Sequence, residues 1–397
     1  MIYDKIIADK MSFDINAGYW YVNNRYFFNK AECLRYATEI RNMDVRFNFF
    51  DDFYSTVDWT HEPAESLEQI YANRARQLRE KYDYIVIAFT GGSDSANVVN
   101  SFLNNGLHID EIITCYPVEV IEKLLPTFSN KDTSAANLMF EYTEAALPML
   151  KQVAKYYPNV KISVMDYSQR VIDIVSSGNL PKLIMAGIGA SPSLAGHYML
   201  AERIREYMDK GTVACVTGID KPRMTWDTVR KKFGMFFTDI TVVWGKHSKV
   251  AFDGFIPNME YFYYSLDMPE ILQKQTAILK RQLLPIVTAE VKPHFYKDIH
   301  KKSGQIDLMQ MDTDFFKAIL YKNWDIKTFQ AGKPSGYFYQ ESAEWFYKSP
   351  LTDKRTKDYH DGQILELIYG IDERMIVRDE TGRPLKFVDK VSRTHSL

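Results

Sequence analysis

Hydrophobic positions along the chain switch between short unbroken runs and helical spacing, and the alternation predicts most of its elements. Near the N-terminus, aromatic and β-branched residues in YWYVNNRYFF, Tyr19 to Phe28, flank Asn23-Asn24, which predicts a hairpin with asparagines in its turn. Asn29 then stands where a short helix through NKAECLRYATEIRNM takes its N-cap. In DWTHEPAESLEQIYANRARQLREKY, Leu67, Ile70, Arg74 and Leu78 recur at helical spacing, and the helix is expected to open near Pro63, because proline suits a first turn.

DYIVIAF follows as an unbroken apolar run bounded by charge and glycine, the pattern of a buried parallel strand. SANVVNSFLNNG places Val98, Val99, Phe102 and Leu103 on one helical face, with Asn105-Gly106 as its stop. DEIITCY and VKISVMDY read as the next two strands, separated by a helical stretch from roughly Ser134 to Tyr157 that Pro148 interrupts or kinks. KLIMAGIGA reads as a strand or a loop-rich insertion, SLAGHYMLAERIREYMDKG as a helix ending at Gly211, TVACVTGID as a strand, and DITVVW as a further candidate strand. Strands alternating with helices predict an α/β fold: a doubly wound parallel sheet, preceded by a small N-terminal α+β segment. From about Pro257 the pattern changes; DMPEILQKQTAILKRQLL is helical, and a mostly helical C-terminal region is expected. The expected division is 1–62, 63–256 and 257–397. The charge clusters Lys301-Lys302 and Asp353 to Lys357 are expected in solvated loops.

Composition narrows the function. A net charge of −2 gives no global basic field, so nucleic acid is not indicated as a partner. Three widely spaced cysteines, with no CxxC, argue against a zinc site or dithiol pair and favour a reducing, cytoplasmic setting. The charged N-terminus lacks the apolar core of a signal peptide, and no stretch has the length of a membrane helix.

The chemistry concentrates in IAFTGGSDSANVVNSF, where a buried strand exits through two glycines, three hydroxyls and an aspartate. Gly91 and Gly92 allow several N–H groups to converge on one point, and the following helix aims its positive end there. Thr90, Ser93 and Ser95 add hydroxyl donors for phosphate oxygens, while Asp94 makes sense beside an anion if a divalent cation bridges the two. The spacing is not that of a Walker A loop or a dinucleotide fingerprint. The plain alternative is a tight strand-to-helix turn with Ser and Asp as caps. A later strand ends at Gly218 and offers Asp220, Lys221 and Arg223 on the same sheet edge, where the cations can neutralise phosphate charge.

FTGGSDSANVV resembles the SGGxDS loop of the N-type ATP pyrophosphatases, the PP-loop superfamily, with Thr90 keeping the hydroxyl of the usual first serine. The approach through LEQIYANRARQLREKYD is similar to that of the asparagine synthetase domain, and the likeness spans about Glu65 to Asp110, more loosely to Trp244. The resemblance implies cleavage of ATP between its α and β phosphates with magnesium, an adenylated intermediate, and displacement of AMP by ammonia or a sulfur donor. It places Gly91, Gly92, Ser93 and Ser95 on pyrophosphate and Asp94 on magnesium. It puts Cys115 and Tyr116, at the end of the second strand, near adenine. No role for Cys115 as nucleophile is supported, Cys215 reads as a core residue, and His197 is a candidate polar participant or part of a capped helix start.

The chain begins Met-Ile-Tyr, so no glutaminase of the asparagine synthetase kind is expected, and ammonia comes free or from a partner protein. The paired cysteines of tRNA thiolation enzymes and the C-terminal signature of assimilatory reductases are also missing. The leading expectation is an AMP-forming ligase acting on an unidentified small-molecule acceptor. The alternatives are a phosphoadenylylsulfate reductase-like or sulfurtransferase enzyme, and a nucleotide-binding protein without turnover.

Overall fold

The computed structural model describes residues 18–27, 29–124, 126, 141–180, 193–219, 221–239, 258–289, 305–308, 313–322, 324, 338, 346–347 and 349–397. The hairpin forms as expected: β1 (Tyr19–Val22) and β2 (Arg25–Phe27) are antiparallel, and Asn23 and Asn24 both take positive φ, which asparagine tolerates better than most residues. Helix α1 (Lys30–Glu39) is capped by Asn29, whose side chain accepts from the Glu32 amide. β3 (Arg46–Asn48) completes a three-stranded sheet in the order β2-β1-β3.

Helix α2 (Leu67–Lys81) opens later than expected. Its start is fixed by a capping box, with Ser66 bonding the Gln69 amide and Gln69 reaching back to Ser66, so Pro63 lies outside the helix. The chain then enters the central sheet at β4 (Tyr84–Ala88), followed by α3 (Ser93–Leu103), β5 (Glu111–Tyr116) and α4 (Val118–Leu124). After a π-helical turn, Glu141–Ala146, α5 (Leu147–Tyr156) carries Pro148 in its first turn rather than at a kink. β6 (Lys161–Asp166), α6 (Ser168–Ser176), α7 (Ser193–Arg205) and β7 (Val213–Thr217) follow. The expected KLIMAGIGA strand lies wholly outside the described residues, as does DITVVW apart from Asp239.

Beyond β7 the structure departs from expectation. β8 (Arg223–Asp227) and β9 (Lys232–Phe236) form an antiparallel pair, while β10 (Asn258–Tyr261) returns to pair parallel with β7. The central sheet is therefore all parallel, in the order β10-β7-β4-β5-β6, and its edge strand comes from beyond residue 257. α8 (Glu270–Thr288), β11 (Gln305–Asp307), α9 (Thr313–Leu320), α10 (Lys354–Ile368), the hairpin β12 (Ile376–Arg378) and β13 (Pro384–Phe387), and β14 (His395–Ser396) complete the chain. β11 and β14 flank β8 and β9 in a second sheet, so among the described residues the C-terminal region adds short strands to its helices. Asp353 caps α10 through the Thr356 amide, so the charge cluster around it starts a helix rather than filling a loop; Lys301-Lys302 lies outside the described residues.

One hydrophobic cluster runs from Trp20 to Phe387, so the three expected segments share a core. The N-terminal sheet is tied to the second sheet through buried Asp239, which accepts from the Trp20 indole at 2.8 Å and pairs with Lys30 at 2.7 Å. Fully buried Arg74 joins α2 to β10 through Glu260 and the Tyr261 carbonyl. No helix among the described residues is long and apolar enough to cross a membrane.

Candidate functional site

The chain visits the parallel sheet in the order β4, β5, β6, then crosses to β7 and β10 on the other side. β4 and β7 are neighbours whose following segments leave in opposite directions, and a crevice at such a reversal, outside the carboxyl ends of the strands, is where ligands bind in open α/β sheets. Thr90 to Ser95 follow β4, and Gly218 to Lys221 follow β7, so the two motifs singled out in the sequence meet there.

The turn is built from close backbone contacts. Gly91 has φ of +77°, the left-handed region, and a Cβ on it would lie 2.8 Å from the Ala146 nitrogen. It is buried beneath that turn, whereas Thr90 is exposed and Gly92 half-buried. Gly218 is required for a different reason: a Cβ there would sit 2.9 Å from the carbonyl carbon of Asp94. The end of β7 thus rests directly on the first turn of α3.

The hydroxyls divide between roles. Ser95 Oγ accepts from the Thr90 amide at 3.3 Å and donates to the Gly92 carbonyl at 3.0 Å, so it braces the loop from within. Ser93 Oγ is buried and has no hydrogen-bond partner among the described residues. Gly92, the N-cap of α3, supplies no side-chain acceptor to the first-turn amides, whereas Ser66, Asn29 and Asp353 cap their helices.

Asp94 is the hub. Lys221 Nζ lies 2.6 Å from its Oδ1 and 2.7 Å from its Oδ2, and the lysine is buried. Tyr321, just past α9, donates to the same Oδ1, and Tyr263, just past β10, donates to the Asp94 carbonyl at 3.0 Å. Asn97 donates to Tyr263 at 3.0 Å, and Tyr264 donates to the Lys221 carbonyl at 2.6 Å. Burial, reinforced by the nearby Asp94 carboxylate, holds the Tyr263 and Tyr321 phenols far above the usual tyrosine range, so both stay protonated donors.

The remaining expected residues fall as follows. Tyr116 is buried, and its hydroxyl donates to the Thr90 carbonyl at 2.5 Å, which makes it a brace of the turn. Cys115 lies beneath α7, where a Cβ on Gly196 would approach it at 2.9 Å; burial pushes its thiol up to about 12, against a nucleophilic role. Cys215 is fully buried in β7. Arg223 opens β8 and pairs with Phe236 across the second sheet. Asp220 and the side chain of His197 lie outside the described residues.

Sequence reasoning missed Tyr263, Tyr321 and Glu141. Glu141 is buried, and its Oε1 is 3.5 Å from where a Cβ on Gly92 would be. Its only local signal was an acidic residue between Phe140 and Tyr142, which Glu144 repeats one turn on. Taken together, the uncapped helix start, the left-handed Gly91 and the orphan Ser93 hydroxyl fit a phosphate chain. In this arrangement both Asp94 oxygens accept hydrogen bonds, from Lys221 and Tyr321, and no group of three metal-ligating side chains exists among the described residues. No family model matches the chain, and no curated protein matches it.

Proposed function

We propose that the chain is an ATP-dependent, AMP-forming ligase of the N-type ATP pyrophosphatase kind, similar to the asparagine synthetase domain. The observation that carries the reading is the meeting of an uncapped helix start after β4 with a buried lysine delivered from β7, at the reversal point of a parallel sheet. Such a junction suits a chain of phosphates, because fixed N–H donors and a cation together stabilise charge growing on a leaving group.

In the reaction, an acceptor oxygen bonds to the α-phosphorus while the bond from that phosphorus to its bridging oxygen breaks. Pyrophosphate leaves with the electron pair. Ammonia, free or from a partner protein, then forms the C–N bond as AMP departs, and its surplus proton passes to solvent. The α3 amides and Ser93 Oγ hold the phosphates, and Lys221 exchanges the Asp94 carboxylate for the departing pyrophosphate. Magnesium, if bound with the phosphates, would supply further charge neutralisation.

The sulfur-transfer alternative needs an external thiol or persulfide: burial pushes the thiols of Cys33 and Cys115 up to about 12 and that of Cys215 higher still. One observation favours a binding protein without turnover, namely that Asp94 and Lys221 are already paired and Ser95 is committed to the loop. Incubation with ATP labelled at the α-phosphate, magnesium and candidate acceptors separates the readings. AMP and pyrophosphate in equal amounts support the ligase; binding without products supports the silent nucleotide site; ADP overturns both.

A further inference from the structure

Asp94, the carboxylate that the loop motif offers to a cation, is held by Lys221 and Tyr321. A second carboxylate packs against the same loop. Glu141 begins the π-helical turn that runs into α5, and such turns occur often at functional sites. That turn lays Ala146 on Gly91 and Glu141 against Gly92, so one element fixes both glycines. Glu141 Oε1 and Thr90 Oγ1 each lie 3.5 Å from where a Cβ on Gly92 would be, which puts carboxylate and hydroxyl together beside the uncapped start of α3. Tyr116 braces the same loop by donating to the Thr90 carbonyl.

A phosphate chain settling on the α3 amides therefore approaches a buried carboxylate, and like charges at that range oppose binding. A divalent cation between them reverses the sign. Magnesium suits the position, because it is commonly bound by one or two carboxylates, with phosphate oxygens and water filling the rest of its shell. We propose that Glu141, rather than Asp94, is the protein ligand of the magnesium that accompanies the nucleotide phosphates, a role that rests on the ATP reading above. Asp94 then serves as the resting partner of Lys221.

Calorimetric titration of ATP into the full chain, with magnesium and with chelator, tests this in the wild type, Glu141→Gln and Asp94→Asn, each checked for folding by thermal melting. The expected result is that magnesium strengthens wild-type binding at least tenfold, that Glu141→Gln loses this increment while keeping or improving magnesium-free binding, and that Asp94→Asn retains it. A full increment in Glu141→Gln, or its loss in Asp94→Asn, overturns the assignment and leaves the ATP reading standing. No ATP binding by the wild type under either condition overturns both. Should Glu141→Gln not fold, Glu141→Asp shortens the reach by one methylene; a magnesium increment reduced at least threefold supports the assignment, and an unchanged one overturns it.

Discussion

Lys221 Nζ sits within 2.7 Å of both carboxylate oxygens of Asp94, although 127 positions separate the two residues in the chain. The pair joins the first turn of α3 to the segment after β7, and the lysine is buried while Asp94 is partly open to solvent. In the proposed function this cation moves a short distance onto the departing pyrophosphate.

Lys221→Ala is expected to cut AMP and pyrophosphate formation by about 10²–10³-fold, the scale for losing one preorganised donor to a developing charge. Asp94 keeps its bond from Tyr321, so the fold survives. Pyrophosphate release and a thermal melt, measured on the same preparation, separate a loss of chemistry from a loss of structure.

Gly218→Ala places a methyl group 2.9 Å from the Asp94 carbonyl carbon, where backbone rather than a mobile side chain must yield. The expected cost is about 1–3 kcal/mol, typical of overpacking, read from the urea midpoint. Gly91→Ala meets a contact of 2.8 Å with the Ala146 nitrogen and also strains a φ of +77°, so it should destabilise by more than Gly218→Ala. Equal stability of either variant and the wild type would show that the turn relaxes freely.

Tyr321→Phe removes the hydroxyl that reaches Asp94 from the C-terminal region while preserving the ring beside Tyr263. The expected loss of stability is about 1 kcal/mol, and ATP affinity should change because Asp94 and Lys221 lose their third member. Binding and stability both identical to wild type would confine Tyr321 to packing.

His395 gives a pH dependence outside the site. Burial and neighbouring Arg393 depress its pKa to about 4, and Nε2 finds no partner among the described residues. The folded state therefore holds it neutral, while the unfolded chain takes up a proton near the ordinary histidine value of about 6.5. Its contribution is present above that value and lost as pH falls toward 4. Thermal midpoints of the wild type should drop across that window, and those of His395→Phe should drop less. Asp361 and Asp372, depressed to about 2, act only in a more acidic range.

Local chemistry made several elements readable from sequence. Asn23-Asn24 announced the hairpin because both positions need positive φ, and IVIA and EIITCY announced the parallel strands because both faces are buried. The Ser66–Gln69 capping box was also written in the sequence, but Pro63 drew the helix start forward. β10 carried no such mark: NMEY is a strand only because the edge of β7 supplies its partners. In the site, the two glycines, Asp94 and Lys221 were legible as motifs, while Tyr263, Tyr321 and Glu141 reach the loop through tertiary contacts that no spacing encodes.

Whether the β4–α3 junction grips the phosphate tail of ATP is decided by parallel calorimetric titrations with ATP, AMP and inorganic pyrophosphate. ATP is expected to bind at least tenfold tighter than AMP, with pyrophosphate competing against it; no heat with ATP, or AMP binding as tightly, would rule the grip out.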